Sequence, residues 1–337
     1  MNRAPRKGMA FKVGGESILP EGFLVGHAQD DTVGTGCTVI LCEDGALSAV
    51  SVRGAAPATV ETDLLDPSNT VERINAVLLS GGSAFGIEAA SGAMKWLTEK
   101  GKGFCVSTAR VPIVCGAALF DLTVGQSDSF PDKAMGYAAC EATSSRVETG
   151  NIGAGTGASV GKLFGESLAM KTGFGCASVE VDGLIITALV AVNAVGNVFD
   201  RTSGRTLAGV RDPDNDKGIA DPYDALISLS AAGETASPLM QNTTIGCVLT
   251  NGTLTKAQAK HVADMTHDGY ARAIEPVHTG FDGDAVFALS TCTEVSSPAL
   301  IGSLAALVME KAIHNAALSS ESAYGLPSSR DLNTHSI

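Results

Sequence analysis

A mixed α+β fold built in layers is predicted by three features of this 337-residue chain. Short β-branched apolar runs alternate with apolar or one-faced stretches of helix length. Several runs stop at Asp-Gly or Asn-Gly turn signals. Glycine numbers 39 and hydrophobic residues make up 45%, but aromatics only 5%, a balance that suits close backbone packing with small side chains. The length would hold about two average domains, and one large layered domain of this size is also common.

Residues 1–20 carry Arg3, Arg6, Lys7 and Lys12 and read as a flexible N-terminus. Residues 23–26 and 36–42 read as strands, with Glu43-Asp44-Gly45 as a turn that returns the chain through residues 46–52 as a hairpin. Residues 57–71 are polar and read as a surface loop. A strand over 74–79 runs into Gly81-Gly82-Ser83-Ala84-Phe85-Gly86 and a helix over 87–100, a turn that gathers backbone amides at a helix start. Residues 105–107 read as a strand and 134–142 as a helix. Asp182-Gly183 joins two apolar runs, 177–181 and 184–192, as a hairpin.

The stretch 200–240 shifts to polar residues with Pro213, Pro222 and Pro238, broken by a helix candidate at 223–232. Thr255 with Gln258 three residues later is a capping-box signature for a helix to about Arg272. Asp282-Gly283-Asp284 leads into a strand over 285–289. Ser297-Pro298 starts a long helix to about Ala316, apolar almost all round, and residues 319–337 read as a polar tail, surface-lying or disordered.

Lysine plus arginine is 23 against 36 acidic residues, a net charge of −13 that repels nucleic acids and acidic membranes. Neither is expected as a partner. The eight cysteines lie scattered in apolar runs without a C-x-x-C pair, as reduced core thiols do, which favours the cytoplasm. No secretion signal is visible, and the long apolar helix meets Glu310 and Lys311 well before the ~20 residues that span a bilayer. His261 and His267 lack the spacing of two ligands on one helical face, so no metal and no cofactor is expected.

Two loops look like familiar motifs and fail them. Ser83 would need glycine at position 85 to be a G-x-S-x-G nucleophile, and Phe85 stands there. Gly153 to Lys162 would need glycine at 156 and a hydroxyl residue at 163 to be a phosphate loop, and has Thr156 and Leu163.

The chemistry centres on Asn242-Thr243-Thr244-Ile245, where two threonines open a short buried strand. A threonine hydroxyl needs a base, and the free α-amine of the same residue, with a pKa of about 8, can be one. Inside an intact chain that nitrogen is an amide, so the reading requires prior cleavage of the Asn242–Thr243 bond, most simply by attack of the Thr243 hydroxyl. As bare pattern, Asn-Thr-Thr reads as a polar lead-in to a core strand.

Asn242-Thr243-Thr244-Ile245, Asp282-Gly283-Asp284 and Gly81-Gly82-Ser83-Ala84-Phe85-Gly86 together resemble the DmpA-type L-aminopeptidase/D-esterase family of N-terminal-nucleophile amidohydrolases. The threonine and the paired aspartates are most similar to its nylon-oligomer hydrolase branch. The resemblance spans about residues 22–316 and implies a single four-layer αββα sandwich over 21–318. It also implies self-cleavage into chains 1–242 and 243–337, and a homo-oligomer, commonly a tetramer. It further implies that Thr243 is the nucleophile, that Asn193 and Lys162 stabilise the oxyanion, and that Asp282 and Asp284 hydrogen-bond the nucleophile and its amine. Gly82, Ser83 and Phe120 would line the substrate pocket, Phe120 standing where nylon-hydrolase-like relatives place a tyrosine. Read without the resemblance, Lys162 suits a solvated surface, and Asn193 and Asp282-Gly283-Asp284 suit plain turns. The implied substrates are small peptides or amide oligomers. The rival readings are an acyl transferase like ornithine acetyltransferase and an uncut binding protein of the same fold.

Overall fold

The computed structural model describes residues 10–215, 218–231 and 242–332. Its frame is one ten-stranded sheet that folds over on itself. The strands are β1 (Ala10–Val13), β2 (Leu24–Asp30), β3 (Thr35–Val52), β4 (Ala58–Val60), β5 (Arg73–Ser80), β6 (Val114–Ala118), β7 (Phe174–Val181), β8 (Leu184–Ala191), β9 (Ile245–Gly252) and β10 (Ala285–Glu294). Their order is β1-β7-β8-β9-β10-β3-β5-β6-β4, with β2 paired to β3. Pairing is antiparallel except for β9–β10 and β5–β6. Those two parallel pairs are bridged by the helices α4 (Lys256–Ala273) and α1 (Ala89–Glu99), since parallel neighbours need a crossover. The remaining helices are α2 (Lys133–Glu141), α3 (Pro222–Ala231) and α5 (Pro298–Ser319).

Residue alternation along the strands sorts the core into three strata and so yields four layers. In β9, Ile245, Cys247 and Leu249 share a core with Leu79 of β5 and Cys115 of β6, between the two halves of the sheet. The alternate residue Val248 joins Val262 of α4 and Val308 of α5 instead. On the opposite outer face, Ala93 and Leu97 of α1 and Cys140 of α2 cover Val39, Leu41 and Leu78. The order is therefore helices, sheet, sheet, helices: the αββα sandwich.

Three sequence expectations are corrected. Residues 36–52 are not a hairpin: Glu43-Asp44-Gly45 lies inside the 18-residue β3, as a register break opposite β5 between Leu41 and Ala46. Gly45, at φ 87°, supplies the left-handed residue that such a bulge favours. The bulge lets the first half of β3 pair with β2 and the second half with β10, carrying one strand through both sheet layers. Residues 10–13 are not loose, because they pair with β7 along the sheet edge. Nor is the segment after α5 a loose tail: Ser320, Leu326 and Ser328 are buried.

Other expectations stand. Asp182 and Gly183 take φ 49° and 86° in the turn between β7 and β8. Thr255 and Gln258 close a full capping box on α4. Part of the polar stretch 200–240 is structured, as Asn197–Asp200 and Arg205–Ala208 pair beside Ile274–Glu275 and α3 follows. Residues 232–241, where a processing linker was expected, lie outside the described residues. All eight cysteines are unpaired and six are buried. Among the described residues no helix is long and apolar enough to cross a membrane.

Candidate active site

Thr243 sits where β9 begins, two residues before the inward-facing Ile245, and only 4% of its surface is exposed. Its hydroxyl donates to the carbonyl oxygen of Asn242, the residue before it. That same oxygen accepts the Gly283 N–H at 2.9 Å. A side chain at position 283 would put its Cβ 2.8 Å from the Thr243 Oγ1 and 2.5 Å from the Ala56 carbonyl, so glycine is what lets this backbone reach the threonine. The Thr243 N–H donates to the Asn193 carbonyl at 2.8 Å.

Asn193 follows β8 and ties the expected residues together. Its Oδ1 accepts from Lys162 Nζ at 2.6 Å and from the Ser159 N–H at 3.1 Å, and its Nδ2 donates to the Phe120 carbonyl at 2.9 Å. Lys162 is buried rather than solvated, its burial lowering the ammonium pKa while Glu166, Asp121 and Asp282 oppose the shift. The loop from Gly153, which failed as a nucleotide motif, is what carries Ser159 and Lys162 inward. A second buried lysine, Lys171, clamps that loop by donating to the Gly155 and Ala158 carbonyls, both at 3.0 Å, and burial pushes its pKa down to about 7.

The two aspartates flank the threonine without touching it. Asp284 Oδ1 accepts the Thr244 N–H at 2.7 Å, and Oδ2 accepts from His278 Nδ1, also at 2.7 Å. Asp282 Oδ2 accepts the Thr279 hydroxyl at 2.6 Å and N–H at 2.9 Å, while its Oδ1 is buried without a partner. Burial, followed by the neighbouring Asp284 charge, raises the Asp282 carboxyl to about 6. In the uncut chain, the hydrogen bonds that the resemblance implies from these carboxylates to Thr243 are therefore not formed.

Gly82, Ser83 and Phe120 join through residues 119–121. Asp121 Oδ1 accepts the Gly82 N–H at 2.6 Å, its Oδ2 accepts the Thr35 hydroxyl at 2.7 Å, and the Leu119 carbonyl accepts the Ser83 N–H at 2.8 Å. Ser83 holds φ at 54°, a strained value of the kind found at functional turns. Phe120 is half-buried, and its backbone carbonyl orients Asn193. Exposed Phe85 stacks on Phe130 at 4.8 Å beside this turn.

Sequence reasoning missed Asp121, Lys171 and His278, and also Ser159, which shares its loop with Lys162. His278 stands six residues before Asp284 in no known motif, and nothing in its local sequence marks it. Among the described residues no cluster of three or more His, Cys, Asp or Glu side chains could hold a metal ion.

A buried hydroxyl, an amide and ammonium pair beside it and two flanking carboxylates suit acyl transfer at a carbonyl. Residues 21–329 match the profile of peptidase family S58. An uncharacterised aminopeptidase of Mycobacterium tuberculosis is 38% identical over 340 residues, spanning 92% of this chain and 96% of the relative. A 6-aminohexanoate-oligomer endohydrolase of a Kocuria species is 32% identical over 285 residues, spanning 84% of this chain and 76% of the relative. The L-aminopeptidase D-Ala-esterase/amidase of Ochrobactrum anthropi, described as a variant of the Ntn hydrolase fold, superposes with TM-score 0.66 at 19% identity over 94% of this chain and 89% of its own. The protein is an amide-bond hydrolase with this fold. It belongs to peptidase family S58.

Proposed function

We propose that the chain cuts itself between Asn242 and Thr243 and then works as an N-terminal-threonine amidohydrolase on small peptides or amide oligomers. The observation that carries this is the Thr243 hydroxyl lying against the Asn242 carbonyl, whose oxygen the Gly283 N–H already holds. Attack by Oγ1 on the Asn242 carbonyl carbon breaks the C–N bond and moves the acyl group to oxygen, releasing the Thr243 amine. Water then hydrolyses the ester, leaving a carboxylate on Asn242.

In the hydrolytic cycle the amine takes the Oγ1 proton as the oxygen attacks a substrate amide, and delivers it to the departing amine. Water resolves the acyl-enzyme. The contact from the Thr243 nitrogen to the Asn193 carbonyl supports this, because an amine anchored there can turn its lone pair toward Oγ1. Asn193 and Lys162 keep N–H groups beyond those already engaged, and these are the donors for the oxyanion. Asp282 and Asp284 hold the new terminus. Gly82, Ser83 and Phe120 line the substrate side.

The aminopeptidase relatives make peptide N-termini the first substrates to try, and the 6-aminohexanoate-oligomer endohydrolases make amide oligomers the second. We place the enzyme in the cytoplasm as a homo-oligomer of cut units, commonly a tetramer, with its unpaired cysteines supporting a reducing compartment. Denaturing mass spectrometry tests the proposal. The natural chain should give pieces of 242 and 95 residues, the smaller beginning with threonine. Thr243→Ala should stay whole and lose amide hydrolysis. A fully active uncut chain, or a break elsewhere, overturns it.

A further inference from the structure

Cleavage removes two of the backbone ties that hold Thr243. While the chain is whole, Asn242 donates to the Phe281 carbonyl at 3.0 Å and accepts from Gly283, and both bonds leave with Asn242. What then fixes the new terminus is the Asn193 carbonyl, the Ala285 N–H on the Thr244 carbonyl at 3.2 Å, and the Thr244 N–H on Asp284. Only the last of these is a side-chain tie, and its geometry depends on how the Asp284 carboxylate is turned.

His278 holds that carboxylate. Its Nδ1 lies 2.7 Å from Asp284 Oδ2, and because an ionised carboxylate only accepts, Nδ1 is the donor. Its backbone N–H reaches the same oxygen at 3.3 Å, so one residue grips the carboxylate twice. The Nε2 is buried with no partner, which favours the neutral Nδ1–H tautomer over an imidazolium with a stranded proton. The ring is wedged against His267, centroids 4.7 Å apart, and Tyr270, 5.9 Å, both on α4. Its backbone lies in the left-handed region, at φ 55°.

We propose that His278 is a positioning residue of the hydrolytic site, orienting Asp284 so that it pins Thr244, and with it the Thr243 nucleophile, once the chain is cut. No hydrogen bond joins His278 to Thr243 or Asn193; it acts through Asp284. The inference rests on Thr243 being the nucleophile, and the experiment separates the two.

The test compares two amide variants of similar polarity. In His278→Asn the side-chain Nδ2 falls near the place of Nδ1 and can still donate to Asp284, whereas in His278→Gln the amide sits one bond too far out. For hydrolysis of an aminoacyl amide, His278→Gln should lower kcat by roughly 10- to 100-fold with KM little changed, and His278→Asn should stay within about threefold of the natural enzyme. The hydrogen bond is also read in the natural enzyme, as a downfield imidazole N–H proton resonance assigned by its loss in His278→Asn; this decides the matter if the glutamine variant does not fold. Equal kcat in both variants, an effect confined to KM, or no such resonance in the natural protein overturns the proposal. Thr243→Ala run in parallel distinguishes the failures: if it still hydrolyses, the nucleophile is wrong, and if it is dead while His278→Gln is normal, only the role of His278 falls.

Discussion

Thr243 and Asn193 illustrate how much the site depends on single polar atoms out of water. Asn193 takes part with its carbonyl, its Oδ1 and its Nδ2, so one side chain holds Lys162 and faces Phe120 while its backbone meets the threonine. Asn193→Ala removes the proposed oxyanion donor and strands Lys162, and kcat should fall by about 10²–10³-fold if the proposed role holds, measured on enzyme that mass spectrometry finds cut. Asp121 gives a test by pH. Burial raises its carboxyl from 3.8 to about 6, so the folded chain binds that proton more tightly than the unfolded one. The stability this brings is complete below pH 3.8 and is lost as pH rises through about 6. Asp121→Asn keeps an acceptor for Gly82 and carries no such proton. Between pH 4 and 7 its unfolding free energy should therefore drop less than that of the natural chain, by on the order of 2 kcal/mol, followed by denaturant titration. Of the candidate site residues, Thr243, Asn193, Lys162, Asp282 and Asp284 could be named from the sequence only through the family resemblance of the stretches around them, since their local patterns alone suit a strand entry, turns and a solvated lysine. Asp121 and His278 could not, because only folding brings them to the site.

At the scale of elements, local signals worked where the local chain decides the outcome. The Thr255 and Gln258 box starts α4 because it satisfies backbone N–H groups that the helix leaves open. Thr255→Ala should cost about 1 kcal/mol in chemical denaturation and leave processing intact. Asp182-Gly183 makes its hairpin for the same reason, as both residues accept a left-handed backbone. Glu43-Asp44-Gly45 carries a similar turn signal and became a bulge. Its flanks pair with different partners, β2 on one side and β10 on the other, and that competition is absent from the local sequence.

For the whole molecule, the proposed cut between Asn242 and Thr243 has a mechanical consequence. The 95-residue piece would hold β9, β10, α4 and α5, with β9 hydrogen-bonded to β8 and β10 to β3 of the other piece. The two pieces should therefore co-elute in gel filtration and part only in denaturant; separation in native buffer would contradict this. By itself the sequence determined the alternation of strands and helices, the buried strand behind Asn242-Thr243 and the residue types able to run acyl transfer, because periodicity, turns and caps are set by neighbours along the chain. Tertiary structure decided that β3 joins both sheet layers, that Lys162 is buried on Asn193 and that Asp284 is gripped by His278. The two side-chain pairings join residues 31 and 6 positions apart, and β3 meets β10 through pairs such as Val52 with Ala285, so their geometry exists only after the layers close.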